Sequence, residues 1–405
     1  MSLLPVADAI ARVIAGVAPL DVETVPIADG AGRVLAADLA ARRTQPPFPA
    51  SAMDGYALHG ADATLGATFR VIGMAAAGHG FAGRVAPGTT VRIFTGAPVP
   101  EGADTILIQE DATRDGDTIG VTEAATPGRH VRRRGLDFAE GDVLLPAGTR
   151  LGMRQLSLAA SMGHGTLAVA RRPRVAIIAT GDELVPPGTM PGPDQIVSSN
   201  AAGLAALVAS FGGIAHDLGI VGDDIAAIAD AVRRAVALPA DIIVTLGGAS
   251  VGDHDLARAA LEAAGMRLDF WRIAMRPGKP LMFGTVPAGD GRAARVLGLP
   301  GNPVSTLVGG LLFLCPLIAA CLGAPQTDMA EPAVLAVAVA ANDKREDYVR
   351  ATLAPSPNGL PRVTPLHPQD SSMLSTLAAA DCLLIRPPHA PAAAEGAPCR
   401  ILRLP

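Results

Sequence analysis

Aromatic residues are scarce in this chain. They make up 3% of its 405 residues, although hydrophobic residues make up 49%. Its cores must therefore be built from Ala, Val, Leu and Ile, and a chain of this length divides into about two to four domains. Cysteine is scarce too: Cys315, Cys321, Cys382 and Cys399 form no CxxC pair. That gives little support to a zinc site or a disulfide framework and fits a reducing cytoplasm. Basic residues are not in excess, since the net charge is −5. A broad nucleic-acid footprint is excluded, and any anion binding must be local. The N-terminal apolar stretch has no basic region before it and carries Asp8 and Arg12, so no signal peptide is read there.

Charge is missing altogether from Pro303 to Ala324, a run long enough to cross a membrane. Pro316 interrupts it, Asn302 and Ser305 stand at its start, and no Lys or Arg cluster follows. Those features favour a buried helix and no membrane span. The chain also lacks a Walker A sequence, an HExxH helix and a Ser/His/Asp elbow. Its histidines are scattered, and His254 between two aspartates is a poor transition-metal site.

Val6, Ile10, Val13, Ile14 and Val17 recur at helical spacing within residues 1–42. From 43 to 140, short β-like runs (Phe69–Ile72, Val91–Phe94, Thr105–Gln109) alternate with Gly, Pro and Asp turns. Residues 141–172 return to a helical pattern around Met153–Met162 and are expected to pack on the first 42, with the β segment inserted between. From 173 to 326, buried-type strands at Val175–Thr180, Leu218–Val221, Ile242–Leu246 and Val296–Leu299 alternate with helices. Asn200 is expected to cap the first of these helices. The alternation predicts a doubly wound parallel sheet covered on both faces. From 327 to 405 the pattern is β-like again.

In an open α/β sheet the ligand lies outside the carboxyl ends of the strands. Three such ends carry unusual loops: Thr180-Gly181-Asp182-Glu183; Gly247-Gly248-Ala249-Ser250-Val251-Gly252-Asp253-His254-Asp255; and Leu299-Pro300-Gly301-Asn302-Pro303-Val304-Ser305. Glycines let a backbone approach a ligand closely, carboxylates suit Mg²⁺, and a helix start suits an anion. Each loop alone also reads as an ordinary turn or cap; three on one sheet edge are hard to ascribe to chance. Arg276-Pro277-Gly278-Lys279-Pro280 adds two cations just before a further strand, a fork and a point charge for phosphate. Gly78–Gly83 matches GxGxxG, but Pro87 and Gly88 stand where the helix should run, which excludes a dinucleotide site. Asp54-Gly55 is a turn signal, and Arg132–Arg134 reads as a solvated face.

Taken in order, SAMDGYA, FTGAPVP, TGDEL, GGASVGDHD, RPGKP and LPGNPVS resemble the molybdopterin molybdenumtransferases of molybdenum-cofactor biosynthesis, to which the C-terminal part of gephyrin is similar. The resemblance spans essentially the whole chain. It implies a split helical domain (1–42 and 141–172), an inserted β domain (43–140), an α/β molybdopterin-binding domain (173–326) and a C-terminal β barrel (327–405). It further implies a cytoplasmic homodimer whose site lies between the α/β domain of one subunit and the β domain of the other. The implied reaction joins molybdate to adenylylated molybdopterin, with Mg²⁺, and releases AMP; molybdopterin adenylyltransferase would be a neighbouring enzyme.

By that resemblance Asp54, Thr95 and Asp137 reach in from the β domain. Glu183, Asp223, Ser250, Gly252 and Asp255 line the α/β loops beside Asp182, with Glu183, Asp223 and Asp255 as metal ligands. Arg276, Lys279, Pro300, Asn302, Pro303 and Ser305 complete that wall, and Ser371 or Ser372 and Arg350 approach from the barrel. Asp54, Glu183, Asp223, Asp255 and Lys279 would carry the chemistry. The chain departs from the family pattern at Arg276, where Lys is common, and at Ser198, where an acidic residue is common. A free-standing adenylyltransferase would share the α/β loops but not MDGYA or the barrel, and a scaffold would not need the acidic set.

Overall fold

The computed structural model describes residues 3–247, 256–288, 291–356 and 359–405. The central sheet runs in the order Ile214–Val221, Arg174–Thr180, Ile242–Leu246, Ala293–Leu299, Met282–Pro287, Arg267–Phe270. The first four strands are parallel; Met282–Pro287 runs antiparallel to them, and Arg267–Phe270 antiparallel to Met282–Pro287. Side chains alternate across a pleated strand, and Arg174–Thr180 shows the consequence. Val175 and Ile177 enter one core with the helices Asn200–Ser210 and Pro303–Gly309. Ala176 and Ile178 enter the other with Ile225–Ala237 and Leu256–Ala263. Near-continuous apolar strands are what a sheet buried on both faces requires.

The uncharged run forms a helix over Pro303–Cys321, of which 78% of its most apolar window is buried inside the protein. It is a core helix. Pro316 has no N–H and would leave a carbonyl one turn back unpaired. The turn just before it, Gly310–Leu314, is widened to a π-helix, with the Cys315 N–H reaching the Gly310 carbonyl. The short helix Val6–Ile14 buries Val6, Ala9 and Val13 against that rod. Nine residues are too few to hold a helix alone, so this packing holds it. Gly16 at φ +64° ends it before Val17, and Arg295 donates to the carbonyls of Val13 and Ala15 at its free end.

Residues 141–172 hold one helix, Met153–Ser161, but also the strands Val143–Leu145 and Thr166–Ala170. Those strands pair with Leu39–Ala40 and Val22–Pro26. Between these pairings the chain leaves and returns as an antiparallel ribbon: Gln45 bridges Phe138, and Ala50–Ser51 pairs with Val131–Arg132. At its end stands a six-stranded sheet in the order Thr105–Ile108, Gly55–Leu58, Thr89–Ile93, Thr68–Ala75, Thr118–Val121, Ala112–Asp115. After the rod, five strands close into a barrel, because Glu346–Ala354 pairs with both Arg362–Pro365 and Cys382–Arg386. Met275–Arg276 pairs with Glu346–Asp347, so the turn after the central sheet's edge is stitched to the barrel.

Asp241 binds the approach to the sheet. It is nearly buried and accepts from Arg171 at 2.8 and 3.0 Å and from the Arg174 N–H at 2.8 Å. Residues 171–174 join the strand Thr166–Ala170 to the central sheet.

Candidate active site

A cleft of about 930 Å³ opens at the carboxyl ends of Arg174–Thr180, Ile242–Leu246 and Ala293–Leu299. Glu183, Asp223, Asn200, Asn302, Pro300 and Pro303 line it. Gly181 sits at φ +147°, and a Cβ there would lie 2.4 Å from Glu183 Oε2. Only glycine lets the carboxylate fold back over the strand end. Asp182 does not line the cleft. Its Oδ1 accepts from the Asp223 N–H at 3.1 Å, which ties the two loops together and leaves Glu183 and Asp223 to line it.

Asn200 was expected to cap its helix. It is instead the first helical residue, after Ser199, and its Nδ2 donates to the Gly301 carbonyl at 2.7 Å. The reason is the neighbouring loop, which offers an acceptor across the cleft. Asn302 Nδ2 donates to Ser371 Oγ at 2.9 Å, and the Val304 N–H to the Ser371 carbonyl at 3.0 Å. A helix start normally offers four free N–H groups. Here Pro303 has none and Val304 has spent its own, so this end is a poorer anion cradle than the sequence suggests. Ser305 is buried behind it. Ser371 therefore fastens the barrel loop, whereas Ser372 lines the cleft. Ser198, at the second departure from the family pattern, is also a lining residue.

Lys279 is exposed beside Pro280, which lines the cleft. Arg276 faces the barrel: it pairs with Asp347 and, at 3.4 Å, with Asp343. The hydrogen bond to Asp347 raises its pKa. A carboxylate pair suits the guanidinium fork. Arg350 is 2% exposed, and donates to Gln369 Oε1 at 3.1 Å and the Met373 carbonyl at 3.3 Å. Burial lowers its pKa. Both arginines line a separate pocket of about 460 Å³.

The third group lies on the inserted sheet. Asp54 Oδ1 accepts from the N–H and the hydroxyl of Thr95, each at 2.8 Å. These bonds, the backbone one foremost, hold its carboxyl below the usual value, with a smaller contribution from Arg92. Asp137 lines a pocket of about 320 Å³ with Gly96 and Arg132. No residue of this group lines the 930 Å³ cleft. Ser250, Gly252 and Asp255 lie outside the described residues. Arg92 was missed by the sequence reading; its one signal is a lone cation on an otherwise uncharged strand, two residues before the FTGAPVP turn.

An open α/β sheet with a carboxylate-lined cleft at its switch-side edge, carried between two β modules, defines a multidomain enzyme of small-molecule ligands. Residues 4–163 match the MoeA N-terminal region (domain I and II), residues 176–320 the probable molybdopterin binding domain, and residues 332–404 the MoeA C-terminal region (domain IV). The chain belongs to the molybdopterin molybdenumtransferase family. It is 34% identical to the molybdopterin molybdenumtransferase of Haemophilus influenzae, over 91% of this chain and 90% of that one. It is also 34% identical to that of Synechococcus elongatus, over 95% of each. A crystal structure of a molybdopterin biosynthesis moeA protein from Pyrococcus horikoshii superposes with a TM-score of 0.84 over the full length of both chains, at 26% identity.

Proposed function

We propose that the protein transfers molybdenum from molybdate to the dithiolene of adenylylated molybdopterin in the cytoplasm, with release of AMP. The observation that carries this reading is a family cleft lined by Glu183 and Asp223 at the strand ends. Two carboxylates on one cleft are hard oxygen donors of the kind Mg²⁺ takes. Bound there, Mg²⁺ would offset charge at the phosphoanhydride. Glu183 and Asp223 would hold it, with Asp255 as a third ligand on the resemblance alone. Lys279 would hold phosphate as a point charge.

The thiols that take the molybdenum are the substrate's. The protein's own suit that task badly: Cys315, Cys321 and Cys382 are buried, and burial pushes Cys321 and Cys382 up to about 12. AMP release from adenylylated molybdopterin is expected to need both molybdate and Mg²⁺. Release that ignores molybdate would sink the reading and move it toward a carrier or adenylylation role.

The protein would act as a homodimer, with Asp54, Thr95 and Asp137 of one subunit facing the cleft of the other. Two dead variants test this. Asp54→Ala and Glu183→Gln chains, unfolded and refolded together, are expected to recover about a quarter of the parent rate, because a random two-fold pairing leaves one intact site in half the dimers. No recovery would mean that both residues serve one chain's own site. Direct handover of substrate from an adenylyltransferase belongs to the same reading.

A further inference from the structure

We propose that Arg92 is a positioning residue for Asp54, fixing the Asp54–Gly55 turn from the neighbouring strand. This rests on the assignment of Asp54 to the reaction. Arg92 lies on Thr89–Ile93 directly opposite Tyr56, and Phe94 follows two residues later. On a pleated sheet those three side chains share a face. The guanidinium carbon sits 5.1 Å from the Tyr56 ring centroid and 4.9 Å from that of Phe94, within cation–π range of each.

Its nitrogens are committed as well. Nη1 donates to the Gly55 carbonyl at 3.2 Å and Nη2 to Gln109 Oε1 at 2.6 Å. Gln109 gives its own backbone N–H to the Asp54 carbonyl at 3.2 Å. Arg92 therefore grips the residue after Asp54 and the residue bonded to the Asp54 backbone. Thr95, three places along from Arg92, holds the carboxylate itself. The turn has no slack of its own: a Cβ on Gly55 would lie 2.0 Å from the Leu107 carbonyl. The Asp54 backbone is thus clamped between two strands, and Arg92 sets its height over the sheet. Two ring faces and a planar fork make the position specific to arginine; lysine keeps the charge but not the fork.

The test is steady-state kinetics and melting temperature for Arg92→Met, Arg92→Lys, Asp54→Asn and the double variant Arg92→Met/Asp54→Asn. Arg92→Met is expected to lower kcat by about a hundredfold, the effect of moving a reacting group by roughly an ångström. Arg92→Lys should recover part of that loss. In the Asp54→Asn background the Arg92→Met change should cost less than about twofold, since coupled residues are not additive. An equal loss in both backgrounds, or a parent-like kcat in Arg92→Met, overturns the proposal. If Arg92→Met does not fold, a parent-like kcat in Arg92→Lys does the same. A parent-like rate in Asp54→Asn overturns the Asp54 assignment, and this proposal with it.

Discussion

Asp54→Ala is expected to lower turnover by about 10²–10⁴-fold, the range removed with a positioned acid–base or charge-stabilising group. Its unfolding midpoint should stay close to the parent's. Asp54 is half-buried at a turn, and its carboxylate accepts from the N–H and hydroxyl of Thr95. Water can replace those bonds, so stability has little to lose. Function has more. The bonds from Thr95 hold the carboxyl below its usual value, so Asp54 is an anion throughout the neutral range and not a proton donor. The sign follows from that direction. A depressed carboxylate keeps its charge as pH falls and loses it only below the ordinary value of about 4. Turnover that declines near pH 6 is therefore the work of another group. Purified, folded Asp54→Ala protein with a parent-like rate would remove Asp54 from the site.

The largest loss of stability is expected from Asp241→Ala, at about 3–5 kcal/mol, the usual result of stranding one partner of a buried ion pair. Asp241 is nearly buried, and Arg171 meets it with both terminal nitrogens while Arg292 stands at 3.7 Å. Removing the carboxylate leaves the partly buried Arg171 with only the Arg172 carbonyl and the Arg174 N–H without its acceptor. Denaturant unfolding of the variant measures this directly. A loss below about 1 kcal/mol would show that Arg171 reaches water instead, as exposed pairs do.

The inner parallel strands of the central sheet were legible because burial on both faces makes them unbroken apolar runs, as in Val175–Thr180 and Ile242–Leu246. The edge strand Ile214–Val221 was read only from Leu218, because His216 and Asp217 stand in its first half. Arg267–Phe270 and Arg362–Pro365 were not legible, because edge position and barrel curvature admit Arg, Asp and Pro where a buried strand would not. The first and third loops, and the strand end at Leu246 that opens the second, could be placed on one edge from the alternation of strands and helices alone. Their internal bonding could not. Asn200 reaches Gly301 across 101 positions of sequence, and Asn302 reaches Ser371 across 69. Nothing local in either segment announces such a partner. Arg276 looked like a phosphate ligand because its carboxylates, Asp343 and Asp347, lie in a different segment of the chain. Arg92 escaped notice for a related reason, since Tyr56, Gly55 and Gln109 come from two other segments, Gly55–Leu58 and the turn after Thr105–Ile108.

The ribbon that joins the inserted sheet to the rest has a consequence during synthesis. Val22 pairs with Ala170 and Leu39 with Leu145, so the first strands to leave the ribosome have no partner until the insertion has been completed. The inserted sheet draws its six strands from Gly55 to Val121, and can close while those first strands still wait. Domains tend to fold as units in the order they emerge, and distant pairings are the slow ones. Nascent chains halted once Val121 has cleared the ribosome should therefore already protect the inserted sheet from protease, with residues 22–40 still open to cleavage until Ala170 has emerged too.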